Sequence, residues 1–178
     1  MKTIDLDGRV AIITGASTGI GAATAHALAR QGCDVALASR RRGTLEDLAR
    51  DIRAANNVRV LAIPTDVSQR SQIDNLVRRA ENELGGVDIL VNNAGVGLYG
   101  RIDEVDMEEL RYVFDVNFFS AVHAIQAVTP VMRRRNGGTI VNVSSIAGKF
   151  AIPQLGTTGA SGGYSASKFA LQAISAAA

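Results

Sequence analysis

Tyr164 and Lys168 stand four apart in Tyr164-Ser165-Ala166-Ser167-Lys168, and on a helix that spacing puts both side chains on one face. An ammonium beside a phenol favours the phenolate, which suits Tyr164 to exchange a proton near neutral pH. Taken alone, such a pair is more often a coincidence of an amphipathic surface. Its weight rests on the other residues able to do chemistry. Thr14-Gly15-Ala16-Ser17-Thr18-Gly19-Ile20-Gly21 follows an apolar, β-branched run and opens a helical pattern. A pyrophosphate held there would meet free backbone N–H groups at a helix N-terminus, and glycine removes the Cβ that would block its approach. Gly15, Ser17, Thr18, Gly19, Ile20 and Gly21 are therefore candidate phosphate-binding residues.

A second constellation bears on which dinucleotide is held. Some twenty residues on, the next apolar run ends in Ala38-Ser39-Arg40, where a site for an unphosphorylated ribose would place an acid against the 2′-hydroxyl. No acid is present. Arg40 offers a planar fork suited to a 2′-phosphate, backed by Ser39 and Arg41, so NADP(H) is expected in preference to NAD(H); a solvent-facing arginine is the alternative. Asp66-Val67 and Asn92-Asn93-Ala94-Gly95 follow two further runs. At the carboxyl ends of parallel strands they would face the nucleotide, although singly each also reads as a helix cap or a turn. Ser144-Ser145 follows the fifth run.

These residues need a scaffold that delivers them to one edge. Arg9 to Thr14, Asp34 to Ala38, Val58 to Ile63, Val87 to Val91 and Thr139 to Val143 read as buried parallel strands, apolar almost without interruption. Helical patterns lie between them near Gly19 to Gln31, Thr44 to Ala55, Gln69 to Leu84 and Met107 to Arg135. Right-handed crossovers turn this alternation into an α/β, Rossmann-type doubly wound sheet of order 3-2-1-4-5 within a single domain, residues 1–178. The long helix carries Leu110, Val113, Phe114, Asn117, Ala121, Ile125, Val128 and Met132 as an inward stripe, with Asn117 its polar exception. From Tyr164 to Ala178 another helix is expected to turn Ala166, Phe169, Ala170, Ala173 and Ile174 toward a core or partner.

Composition narrows the function classes. With 47% apolar and 4% aromatic residues, the chain can fill one core of small helices on strands. A formal charge of +2 implies no field of the kind that gathers nucleic acid, and Arg40-Arg41-Arg42 and Arg133-Arg134-Arg135 read as solvated ends. One cysteine, Cys33, and a start without an apolar leader point to the cytoplasm. No stretch reaches the roughly 18 uncharged apolar residues of a membrane span.

Together these motifs resemble the short-chain dehydrogenase/reductase family from about Arg9 to Ser175: Thr14 to Gly21, Asn92 to Gly95, Asn117 in Asp-Val-Asn, Ser145 in Ser-Ser-Ile-Ala-Gly, and Tyr164 to Lys168. The resemblance implies an enzyme that interconverts a small-molecule alcohol and a carbonyl by hydride transfer with NADP(H). Tyr164 would be its acid and base. Lys168 would bind the nicotinamide ribose and tune the tyrosine, Ser145 would orient the substrate oxygen, and Asn117 would hold a water linking Lys168 to solvent. Asp66 and Val67 would contact adenine, with Asn93, Ala94 and Gly95 lining the adenine and ribose. The family's habit of pairing helices across a two-fold axis implies a homo-oligomer, dimer or tetramer.

Two departures qualify the match. Ser145 and Tyr164 lie 19 apart, about half a dozen more than usual, with Gly156-Thr157-Thr158-Gly159-Ala160-Ser161-Gly162-Gly163 filling the excess as a loop. Thr158 to Gly163 echoes the first glycine motif but follows no strand. Family members run to roughly 250 residues, so the sheet is expected to lack the usual C-terminal strands and the lid that selects substrate. A binding module without turnover is accordingly the second reading.

Overall fold

The computed structural model describes residues 6–150 and 162–176. Five parallel strands, β1 (Val10–Thr14), β2 (Asp34–Ser39), β3 (Val60–Pro64), β4 (Ile89–Asn92) and β5 (Thr139–Asn142), form one sheet of order β3-β2-β1-β4-β5. This is the order expected from the sequence. Around it lie α1 (Gly19–Ala29), α2 (Arg42–Ala55), α3 (Arg70–Leu84), α4 (Met107–Phe114), α5 (Ser120–Arg134) and α6 (Gly162–Ser175).

Strand alternation assigns the two cores. In β1 every residue is buried, Val10 and Ile12 facing α3 and α5 while Ala11 and Ile13 face α1 and α2. The first face collects Ile73, Leu76, Ala80, Val128 and Met132; the second collects Ala25, Leu45, Ala49 and Ile52. Burial on both faces is why β1 and β2 read as continuous apolar runs rather than alternating ones, whereas β5, expected to be buried, is an edge strand with Thr139 and Val141 exposed. Parallel register sets Ile13 beside Leu37 and Val91, so the carboxyl ends of β1, β2 and β4 arrive at one edge. The turns carrying the chemistry follow from that edge.

The single long helix expected from Met107 to Arg135 is two helices joined by a wider π-helical turn, Asp115–Phe119. Spacings of three and four do not reveal an inserted residue, because each half keeps its own inward stripe. Here the widened turn buries two consecutive side chains, Val116 and Asn117. Asp106 starts α4 by accepting from the N–H groups of Glu108 at 2.6 Å and Glu109 at 3.1 Å.

Helix α6 presents a different face from the one expected. Ser165, Ser167, Lys168 and Leu171 are buried, whereas Ala166 and Ala173 are exposed, Ala170 and Ile174 half-buried, and Phe169 42% exposed. Its inner face packs on the short turn Ile146–Gly148, where Gly148 admits the helix backbone: a Cβ there would lie 2.7 Å from the Lys168 carbonyl oxygen. Of the loop expected from Gly156 to Gly163 and the echo of the glycine motif from Thr158 to Gly163, Gly162 and Gly163 instead begin α6, while Gly156 to Ser161, like Ala177 and Ala178, lie outside the described residues. Among those described, no helix is long and apolar enough to cross a membrane.

Candidate functional site

At the carboxyl edge the β1–α1 turn is fixed by its neighbours. Gly15 and Gly19 have φ of +64° and +58°, the left-handed region glycine enters without strain. A Cβ on Gly21 would sit 2.5 Å from both Asn93 Nδ2 and the Gly15 carbonyl oxygen. Thr14 Oγ1 accepts from the N–H groups of Asn93 at 3.0 Å and Ala94 at 3.1 Å and donates to the Val91 carbonyl at 3.3 Å. Asn93 Nδ2 in return donates to the Thr14 carbonyl at 2.9 Å. The glycine turn and the Asn93-Ala94-Gly95 loop are thus one unit. Thr14, which opens the glycine motif, ties the two turns through its hydroxyl, a role that its place in the motif alone does not disclose.

A cleft of about 340 Å³ opens beside this unit. It brings together Gly15, Ser17 and Thr18 with Ser39 at the end of β2 and Arg40 and Arg41 after it, Asp66 and Val67 after β3, and Ala94 and Gly95 after β4. Arg41 donates to Ser17 Oγ at 3.0 Å and Thr18 Oγ1 at 2.9 Å, and Arg40 donates to the Tyr112 hydroxyl at 2.7 Å. Among the described residues no carboxylate pairs with either arginine. Ser39 is 8% exposed and its hydroxyl has no hydrogen-bond partner. An orphaned buried hydroxyl beside two uncompensated guanidiniums is the donor set a phosphate group would satisfy. The Asp66 carboxylate, by contrast, accepts from Ser68 N at 3.0 Å and Ser68 Oγ at 2.8 Å, which fixes the turn ahead of α3. Thr65 and Tyr112 also line this cleft without having been singled out in the sequence.

Gly95 and Val96 line both this cleft and a second one of about 370 Å³, reached on its far side by Ile20, Asn93, Ser144, Tyr164 and Lys168. Lys168 is 4% exposed, its Nζ donates to the Val143 carbonyl at 3.1 Å, and burial lowers its pKa. The Asn117 amide is engaged: Oδ1 accepts from Val96 N–H at 2.8 Å, while Nδ2 donates to the Val96 carbonyl at 2.9 Å and to Ser167 Oγ at 3.0 Å. Ser167 Oγ donates onward to the Tyr164 carbonyl at 2.7 Å. The loop after β4, the widened turn and α6 are therefore tied together.

Ser144 and Ser145 differ in their partners. Its Oγ accepts from Ala147 N–H at 3.2 Å and caps the Ile146–Gly148 turn, while Ser144 lines the cleft and donates to the Lys168 carbonyl at 3.3 Å. Alternation along the chain after β5 turns neighbouring serines to different sides, which their identical chemistry hides in the sequence. Burial pushes the Cys33 thiol up to about 12, which leaves it a packing residue. No cluster of His, Cys, Asp and Glu among the described residues could hold a metal ion.

Comparison with known proteins bears on this edge. The short chain dehydrogenase family model matches residues 9–178. An uncharacterized oxidoreductase of Staphylococcus saprophyticus is 37% identical over 171 residues, 96% of this chain and 70% of that protein. A glycine betaine reductase of Emericella nidulans is 44% identical over 168 residues, and the chain spans only 13% of its length. Among solved structures, a short chain dehydrogenase/reductase from Burkholderia phymatum in complex with NAD superposes with a TM-score of 0.91 at 35% identity, over 98% of this chain and 60% of that one. An alcohol dehydrogenase from Thermococcus sibiricus complexed with 5-hydroxy-NADP gives 0.82 at 32% identity, over 93% of this chain and 68% of that one.

Proposed function

The chain belongs to the short-chain dehydrogenase family, and from that premise we propose that it is an NADP(H)-dependent oxidoreductase interconverting an alcohol and a carbonyl. The observation that carries the reading is the continuity of the two clefts across Gly95 and Val96. One holds uncompensated Arg40 and Arg41 beside the orphaned Ser39 hydroxyl; the other holds Tyr164 and the buried Lys168. The relatives with NAD and with 5-hydroxy-NADP point both ways, so the cofactor preference rests on Ser39, Arg40 and Arg41. The α1 N-terminus from Ser17 to Gly21 would hold the pyrophosphate, Asp66, Val67, Asn93 and Ala94 the adenosine, and Lys168 with Tyr164 the nicotinamide ribose.

When bound, the nicotinamide supplies or accepts the hydride. The protein's part is to move a proton and hold geometry. Tyr164 gives its phenolic proton to the substrate oxygen during reduction and takes it back during oxidation. The Lys168 ammonium on the same helix face would favour the phenolate left behind, as a nearby opposite charge does. Asn117, through Ser167 and Val96, keeps α6 and the Gly95 loop in register. Ser145, accepting from Ala147, retains its own proton to orient the substrate oxygen. One buried cysteine fits a cytoplasmic enzyme, and the apolar face of exposed Met107 and Phe119 with half-buried Phe114 fits a homo-oligomer.

The test is NADPH oxidation over a panel of ketones, aldehydes and quinones, against a Tyr164→Phe control. Turnover that the control lacks supports the reading. The capping of Ala147 by Ser145, away from the cleft lining, favours a second one, an NADP(H)-binding module without turnover. In that case NADPH binds and no carbonyl is reduced above the control.

A further inference from the structure

Arg40 reaches the cleft on a long, exposed side chain, and a guanidinium on such a stem must be ordered before it can grip a ligand. Here it is already ordered. Its NH1 donates to the Tyr112 hydroxyl at 2.7 Å across 72 positions of sequence. Tyr112 is carried by α4, anchored by the Asp106 cap at its start and by buried Val113 and Val116 beside it. Both residues line the cleft that contains the orphaned Ser39 hydroxyl. A phenol that accepts from Arg40 also keeps its own proton available to donate.

We propose that Tyr112 is a positioning residue for cofactor choice, holding the Arg40 fork at the cleft so that a 2′-phosphate meets a guanidinium already in place. The inference rests on the NADP(H) reading above and adds a partner from α4, an element outside the β2 turn that otherwise reads the ribose. Preorganisation raises affinity by removing an ordering cost, so the gain belongs to the phosphate-bearing ligand alone. Arg41 is held differently, its NH2 donating to Ser17 and Thr18 on the opposite turn.

The experiment titrates the full chain with 2′,5′-ADP and 5′-AMP, for wild type, Tyr112→Phe, Arg40→Ala and the double variant. Phenylalanine keeps the ring and removes only the oxygen. Tyr112→Phe is expected to weaken 2′,5′-ADP about three- to tenfold and to leave 5′-AMP within about twofold, the range of one net hydrogen bond. In the Arg40→Ala background it should cost nothing more, the coupling a double-mutant cycle isolates. An equal change for both nucleotides would make Tyr112 a wall for adenine and overturn the inference. Tighter 2′,5′-ADP binding by Tyr112→Phe would also overturn it, by showing that the phenol competes with the phosphate. A wild type that discriminates while Tyr112→Phe discriminates equally well sinks this inference alone; a wild type with no preference for 2′,5′-ADP sinks the NADP(H) reading with it.

Discussion

The single amide of Asn117 holds both backbone groups of Val96, accepting from its N–H at 2.8 Å and donating to its carbonyl at 2.9 Å. Asn117 is 2% exposed and Val96 half-buried, so truncation leaves these backbone groups and the Ser167 hydroxyl without that partner. Asn117→Ala is expected to lose about 2–4 kcal/mol of unfolding free energy, since each unsatisfied buried group costs roughly 1–3 kcal/mol. Urea denaturation checks this, and an unchanged midpoint would show that the loop is held by other means.

Gly21 has no room for a side chain, because the Gly15 carbonyl oxygen that a Cβ would meet at 2.5 Å belongs to backbone and cannot swing aside. Gly21→Ala should cost roughly 1–3 kcal/mol of stability through overpacking and weaken dinucleotide binding along with it. Gly43 is the control: it lies in the first turn of α2, and a methyl group there would meet nothing within 4 Å. Gly43→Ala is expected to stabilise by about 0.5–1 kcal/mol. Equal midpoints for the two variants would contradict the packing argument.

Asp88, 5% exposed at the opposite edge of the sheet, accepts from Arg135 at 3.1 and 3.2 Å, Arg9 at 3.2 Å and Val10 N–H at 2.9 Å. Burial pushes its carboxyl upward, but these donors outweigh burial and hold it below the usual carboxylate range. With the folded pKa depressed, the stabilisation is present above the unfolded value of about 3.9 and is lost as pH falls through the folded one. Asp88→Asn should therefore cost about 1–3 kcal/mol near neutrality, with the gap from wild type narrowing below about pH 4. Denaturation midpoints at both acidities decide it; a gap that persists in acid would assign the loss to packing instead of charge.

Self-association should run through α4 and the widened turn, where Met107 is 53% and Phe119 45% exposed and the Phe118 and Phe119 rings stack edge to face at 5.0 Å. Leu171 on α6 is 2% exposed and needs no cover from outside the chain. Light scattering after size exclusion at micromolar concentration is expected to show a dimer or tetramer, and Phe119→Glu to shift it toward monomer. A wild-type monomer would count against this face.

The centre of the sheet was legible because β1 and β2 are buried on both faces, which leaves an unbroken apolar run such as Val10-Ala11-Ile12-Ile13 in the sequence. The glycine turn was legible because its residues are adjacent. What escaped notice involved residues far apart or a shift of face. Tyr112 meets Arg40 only through the fold, and the widened turn at Asp115–Phe119 leaves helical spacing intact on either side of it. The buried face of α6 is polar, with Ser165, Ser167 and Lys168 turned inward, so a search for apolar periodicity selected the wrong side of the helix.

The central claim, a dinucleotide site that reads a 2′-phosphate through Arg40, is tested most directly by calorimetric titration of wild type and Arg40→Ala with NADPH and NADH. Wild type should bind NADPH the more tightly. Removing a charge-assisted contact to phosphate costs about 1.5–3 kcal/mol, so Arg40→Ala should lose roughly tenfold to more than a hundredfold for NADPH, with NADH nearly unaffected. Equal weakening of both cofactors, or no binding of either by wild type, would contradict the account.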